Sequence, residues 1–391
     1  MRVNPVARKH NPILLAVSIT VLVAAALVSA AAAVVTAVFA RSVVTPPRRP
    51  NRDVRILAVD IHKGTVTLGR NADTLLPGRY SLFFADDGGH ARIGEILTVN
   101  GSAVTRQLVE VSYGDLAGAQ LGRISGWYFR HPRELGHEFF DVVISGPLGQ
   151  APAWHVPPED PSSHWMIQVH GRAAARGEAL RAVDVAQRNG YHSLLISYRN
   201  DGDAPQSTDG RFGLGDTEWE DVEAAIAFAV GQGAVRIVLM GWSMGGAAVL
   251  QTASRSRFES VIVGVILESP VIDWRETLRF RASEMRLPKA IGEAVLATIS
   301  AGWGTGITRA TLPVDLTRLD FVTRSRELSL PILLLHSDDD GFVPSTSSRL
   351  LAEARPDIVT FVPFSVARHT KLWNYDELRW NRSISDWLAT L

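Results

Sequence analysis

Three residues, each standing where a predicted strand gives way to a turn, are of the types needed for nucleophilic attack on a carbonyl. Ser243 is the centre of Gly241-Trp242-Ser243-Met244-Gly245, after the apolar run 235–240 and before a helix-like stretch at 247–253. A Gly-x-Ser-x-Gly pentapeptide between strand and helix sets the serine on a sharp turn with its hydroxyl outside the sheet. Gly241 and Gly245 remove the Cβ atoms that would clash where the two backbones approach. The N–H of Met244, at the helix start, then faces any oxyanion formed beside Ser243. A glycine-rich turn of another α/β protein would look alike, so the serine needs a base and a group that orients the base. Three aspartates follow the apolar run 331–335, in His336-Ser337-Asp338-Asp339-Asp340-Gly341-Phe342-Val343-Pro344. His369 follows the run 358–362 and is the last histidine in the chain. Serine, acid and histidine would thus emerge along one sheet edge.

The elements that must hold them alternate regularly. Runs at 139–144 and 151–156 flank Gly146-Pro147-Leu148-Gly149 and predict an antiparallel hairpin. Strands follow at 165–169, 193–197, 235–240, 261–267, 331–335 and 358–362, with helices at 177–188, 217–230, 345–354 and 375–388 between or after them. Such alternation predicts a mostly parallel, doubly wound sheet, with ligands at the carboxyl ends of the strands. Residues 271–328 break the rhythm with Trp274, Phe280 and Trp303, and are expected to overhang the strand ends as a lid or substrate wall, or to be a plain structural excursion. Upstream, 54–135 reads as a small β-rich domain of short strands and turns. It carries no catalytic constellation, and His62 and His90 are expected to be exposed turn residues.

From about residue 139 onward the chain resembles the α/β-hydrolase-fold serine hydrolases. It looks most like the branch of dienelactone-hydrolase-like and acyl-peptide-hydrolase-like proteins and membrane-anchored lipid esterases. The resemblance implies an acid in a His-Gly-x-x-Asp-x-x-Val-Pro setting, matched by His336, Asp340, Val343 and Pro344, with Ser337 in place of the glycine, and so selects Asp340 over Asp338 and Asp339. It also implies an oxyanion motif after the third core strand, matched by His170-Gly171-Arg172. The N–H of Arg172 would be the second donor beside Met244, with His170 and Gly171 as supports. Tyr198-Arg199-Asn200-Asp201 also fits the family. Asp273 is a rival acid, because some members take theirs after the preceding strand. The fold expected is therefore an α/β-hydrolase catalytic domain over 136–391, preceded by a transmembrane helix and the β-rich domain.

Composition sets the remaining bounds. Lys+Arg and Asp+Glu number 40 each, which argues against a nucleic-acid binder. Cysteine is absent, so disulfides, thiolate catalysis and cysteine-based zinc sites are excluded; no cofactor or metal is expected. From 13 to 40 no residue is charged, more than the roughly 20 apolar residues that cross a bilayer. A basic tail at 1–12 precedes this span and a proline-rich linker at 41–53 follows it. The span predicts a single-pass anchor with the body outside the cytoplasm. A signal peptide cut after Ala30 or Ala40 is the alternative. A form starting near Arg52 is expected to fold without the span. The activity expected is cleavage of small-molecule or lipid acyl esters; the alternatives are a peptidase or amidase of the same fold, and a non-catalytic receptor.

Overall fold

The computed structural model describes residues 12–47 and 52–391. The expected basic tail, Pro12 apart, and residues 48–51 of the expected linker lie outside the described residues. Helix α1 (Pro12–Val44) comes first and continues four residues past the expected end of the span.

Six antiparallel strands then close into a barrel: β1 (Val54–Asp60), β2 (Thr65–Gly69), β3 (Tyr80–Phe84), β4 (Gly89–Asn100), β5 (Ala103–Tyr113) and β6 (Leu121–Ser125), in the order β1-β2-β5-β4-β3-β6. Val54, Val66, Leu68, Leu82 and Ile93 fill the interior by the period-two alternation of strands. β5 escapes that pattern because Arg106, wholly buried, takes an inward position between Val104 and Leu108. Its guanidinium donates to the carbonyls of Thr74, Leu76, Gly78 and Gly94, which satisfies the buried charge. His62 is exposed in the β1–β2 turn. His90 is not: three consecutive left-handed residues, Ala85, Asp86 and Asp87, tighten the turn, so β4 begins at Gly89 and draws His90 into the barrel wall. There it is fully buried between the Ser81 and Ser112 hydroxyls, at 2.8 and 2.9 Å. Burial, followed by nearby Arg130, pulls its pKa down to about 4.

The second unit is an eight-stranded sheet made of β7 (Phe140–Gly146), β8 (Gly149–Val156), β9 (His164–Val169), β10 (Tyr191–Ile196), β11 (Arg236–Trp242), β12 (Ile262–Glu268), β13 (Ile332–Ser337) and β14 (Val359–Phe364). Its order is β14-β13-β12-β11-β9-β10-β8-β7. Strands β9 to β14 run parallel, while the β7–β8 hairpin joins antiparallel at the β10 edge. The central strands are buried on both faces, which is why they read as unbroken apolar runs. Helices α2 (Val183–Arg188), α3 (Trp219–Gly231), α4 (Met244–Arg255), α8 (Thr346–Ala354), α9 (Leu372–Tyr375) and α10 (Glu377–Leu388) cover the two faces. The helix expected from 177 is a 3₁₀ segment, Arg176–Ala182, before it becomes α2. The 271–328 segment contains α5 (Trp274–Glu284), α6 (Lys289–Ser300) and α7 (Thr305–Thr308).

α1 has two halves. From Thr20 to Val35 almost every side chain is exposed, whereas Thr36, Ala40, Val43 and Val44 are buried. Their three- and four-residue spacing makes one stripe, and α1 packs through it on α6 and α7. The Phe212 N–H donates to Val44 O at 2.8 Å. A span apolar on all sides conceals such a stripe in the sequence: the last turns of α1 pack as part of the hydrolase core, which counts against the expected folding of a form starting near Arg52.

Candidate active site

Ser243 joins β11 to α4 with φ 50° and ψ −116°, a left-handed conformation that costs a serine about 1–3 kcal/mol and persists only where its surroundings enforce it. They do so by close approach. A Cβ on Gly241 would lie 2.6 Å from Gly245 O, and one on Gly245 would lie 2.2 Å from Val169 O and 2.4 Å from His170 O. The serine is thus held at the carboxyl end of the sheet by packing that only glycine permits.

The other two residues meet it there. The Ser243 hydroxyl is 3.0 Å from His369 Nε2, and His369 Nδ1 is 2.7 Å from Asp340 Oδ2. In the tautomer this carboxylate selects, Nδ1 donates to Asp340 and Nε2 accepts from Ser243. The remaining Asp340 oxygen accepts from the Phe342 and Val343 N–H groups at 2.8 and 2.9 Å. Burial opposes the Asp340 charge, but the His369 ring and then His336 outweigh it and hold the carboxyl far below the usual range. His336 Nε2 lies 3.3 Å from the same carboxylate. Its neighbours lie elsewhere: the Asp338 side chain is half exposed and paired with Arg349, and Asp339 accepts from the Arg368 N–H at 2.9 Å. The rival Asp273 caps α5, accepting from the Arg275 and Glu276 N–H groups.

His170, Gly171 and Arg172 leave the end of β9 beside the serine. A Cβ on Gly171 would stand 3.3 Å from Ser243 Cβ. Among the described residues the N–H groups of Arg172 and Met244 have no hydrogen-bond acceptor, which suits groups meant for a ligand oxygen. The loop is held by Glu178, which sequence reasoning did not single out, and by Tyr198, of the family-like 198–201 stretch. Glu178 accepts from the Gly171 N–H at 2.7 Å, and the Tyr198 hydroxyl donates to Gly171 O at 3.0 Å. His170 is fully buried, stacked on Tyr198 at 4.3 Å, with its nitrogens facing Gly171 O and Asp201 at 2.8 and 3.2 Å. The Arg172 side chain turns away and donates to Ser42 O at 2.6 Å and Thr45 O at 2.8 Å. It therefore caps the carbonyl end of α1, where orphan acceptors and the helix dipole favour a cation. Behind the serine, Glu268 accepts from the indole N–H groups of Trp242 and Trp380 at 2.8 and 2.9 Å. Burial pushes its pKa up, against the pull of Arg181. The indole partners of Glu268 stand 26 and 112 residues away and leave no local signal for it.

A strained serine after a central parallel strand, in line with a histidine and a buried carboxylate from later strands, defines a class of α/β hydrolase. The family model described as the alpha/beta hydrolase family matches residues 142–377, more than half of the 391 residues, and the chain belongs to that family. Residues 55–125 match a model described as a domain of unknown function (DUF8805). No curated protein matches the chain. Among solved structures, the esterase Pf2001 of Pyrococcus furiosus is similar in two crystal forms, at 18% and 17% identity and TM-scores of 0.51 and 0.52. Those matches cover 67% of this chain and 94% and 95% of the esterase. The esterase RhEst1 of Rhodococcus sp. ECU1013 is similar at 17% identity with a TM-score of 0.46, covering 64% of this chain and 99% of that one. At such identities the likeness is one of fold.

Proposed function

We infer that the chain is a membrane-anchored serine hydrolase that cleaves carboxylic acyl esters. The observation that carries this reading is the unbroken relay from Ser243 to His369 to Asp340, at 3.0 and 2.7 Å, on a strained turn. Ser243 gives its proton to His369 Nε2 as Oγ bonds to the ester carbonyl carbon, and the carbonyl oxygen becomes an oxyanion. The N–H groups of Met244 and Arg172 stabilise that charge, an effect worth about 10²–10³ in turnover for one such donor. Asp340 stabilises the imidazolium without taking its proton. Collapse breaks the carbon–oxygen bond to the alcohol, which leaves with the His369 proton. Water then attacks the acyl-enzyme through the same base, and the acid departs as Ser243 regains its proton.

The anchor is α1, whose Thr20–Val44 stretch holds an 18-residue window of mean hydropathy 2.5 with no covered side chains. We place the body on the extracytoplasmic side, as an N-terminal export anchor would. Ala40 is wholly buried against the hydrolase, which favours a retained anchor over a cut after that residue. A wall of the site comes from Phe342, whose ring lies 5.1 Å from that of His369, backed by Arg281 of α5 at 4.5 Å. The test is labelling of the full chain by a fluorophosphonate, with turnover on matched ester and amide substrates. Labelling and ester turnover should both vanish in Ser243→Ala with the fold unchanged. Turnover near the wild-type rate in that variant would overturn the nucleophile; preference for the amide would overturn the substrate class.

A further inference from the structure

The loop that carries His369 is strained on both sides: Arg368 and Thr370 have φ of 59° and 49°, a region that residues with side chains seldom adopt. Its surroundings must enforce this conformation. The hydrolase unit holds the main chain, through Arg368 N–H to Asp339, Thr370 N–H to Ser269 at 3.2 Å, and Arg181 to Thr370 O at 2.7 Å. The side chains flanking the histidine are held from the barrel. Asp73, in the turn after β2, accepts from Lys371 Nζ at 2.9 Å and lies 3.4 Å from Arg368 Nε. The Asp73 side chain is 20% exposed and that of Lys371 11%, so water screens this pair less than a surface pair.

The barrel backbone presses on the same loop. Arg79 N–H donates to Asn374 O at 3.2 Å, and the Asn374 amide returns a bond to Arg79 O at 2.9 Å. A Cβ on Gly78 would fall 2.1 Å from Asn374 O, and one on Gly126 would fall 2.5 Å from Thr370 O. The 74–78 segment, which joins Asp73 to Arg79, is itself gripped from inside the barrel by Arg106, through the carbonyls of Thr74, Leu76 and Gly78. A continuous chain of bonds therefore runs from the barrel interior to either side of His369.

We propose that the barrel is a positioning domain for the hydrolase site, and that Asp73 is the positioning residue that fixes the His369 loop through Arg368 and Lys371. The proposal rests on the serine-hydrolase reading for its effect on rate, not for its effect on the loop. A histidine displaced by about an ångström can cost up to about 10² in rate, and loss of one of several restraints should cost less.

The experiment compares full-length wild type with Asp73→Ala, Asp73→Glu and, as a matched control, Glu377→Gln, which loses the ion pair to Arg79 across the same interface. Turnover of p-nitrophenyl butyrate gives kcat and KM, and hydrogen–deuterium exchange of 366–375 reports the loop directly. Asp73→Ala should lower kcat about tenfold with KM within about twofold, and quicken exchange in 366–375 about tenfold. Asp73→Glu should restore most of both, and Glu377→Gln should leave kcat within about twofold. Unchanged exchange in Asp73→Ala, or an equal kcat loss in Glu377→Gln, would overturn the proposal. Should the wild type hydrolyse no ester, the serine-hydrolase reading fails, and the exchange measurement still decides whether Asp73 holds the loop.

Discussion

Cutting the chain at Arg52 removes more than a membrane span. Ala40, Val43 and Val44 leave the hydrolase core, and Arg172 loses both carbonyls that cap its guanidinium. Two fully buried valines contribute about 1.5 kcal/mol each, and each hydrogen bond to a charged group about 1.5 kcal/mol. The expected loss is on the order of 5 kcal/mol, comparable to the whole stability of a marginal domain, about 5–15 kcal/mol. The uncovered α6 adds an apolar patch that favours aggregation. A chain starting at Thr36 keeps the docked stripe and sheds the largely exposed Thr20–Val35 turns with what precedes them. Thermal unfolding followed by the fluorescence of the 10 tryptophans compares the two. The form starting at Thr36 should be soluble, cooperative and active on a short-chain ester. The form starting at Arg52 should melt at least about 10 °C lower or fail to stay in solution, at roughly 2–4 °C per kcal/mol for a domain of this size. Equal midpoints and equal activities would refute the claim that the end of α1 is structural.

Two further outcomes are expected. Asp340→Asn should lower kcat by about 10⁴, since an amide cannot hold the required histidine tautomer, while Asp273→Asn should leave kcat nearly unchanged and cost little stability, because an asparagine oxygen caps α5 as an aspartate oxygen does; steady-state kinetics with thermal midpoints separates the two, and a severe Asp273→Asn would move the acid to the earlier strand. His90, neutral in the fold, has its pKa pulled from 6.5 down to about 4, so its stabilising contribution is complete above pH 6.5 and is lost as pH falls from there towards 4, where the unfolded chain binds a proton that the fold does not. His90→Gln should flatten the acid side of the stability profile by up to one proton across that window, measured by denaturation at stepped pH, and an unaltered slope would refute the buried-neutral assignment.

What the amino-acid order determined by itself is whatever depends on local pattern. The parallel strands were legible because burial on both faces demands unbroken apolar runs, and the serine turn because only glycine tolerates backbone approaches near 2.5 Å. Strand β5 was not, because the inward Arg106 breaks the alternation that marks a barrel strand; its partners are carbonyls of the 74–78 turn and of Gly94 in β4. The position of His90 depended on three successive left-handed residues, a choice that no side-chain pattern announces. The candidate site divides along the same line. Ser243, His369 and an aspartate after β13 follow strand ends and could be proposed from spacing, whereas Asp340 itself and the His170–Gly171–Arg172 turn came from the family resemblance. The Glu178, Tyr198 and Asp73 contacts were a matter of geometry, since nothing in the local pattern joins them to their partners. Only the folded chain brings the end of the apolar helix onto Arg172 and the barrel onto the His369 loop, because packing between units joins surfaces that composition and periodicity describe one at a time.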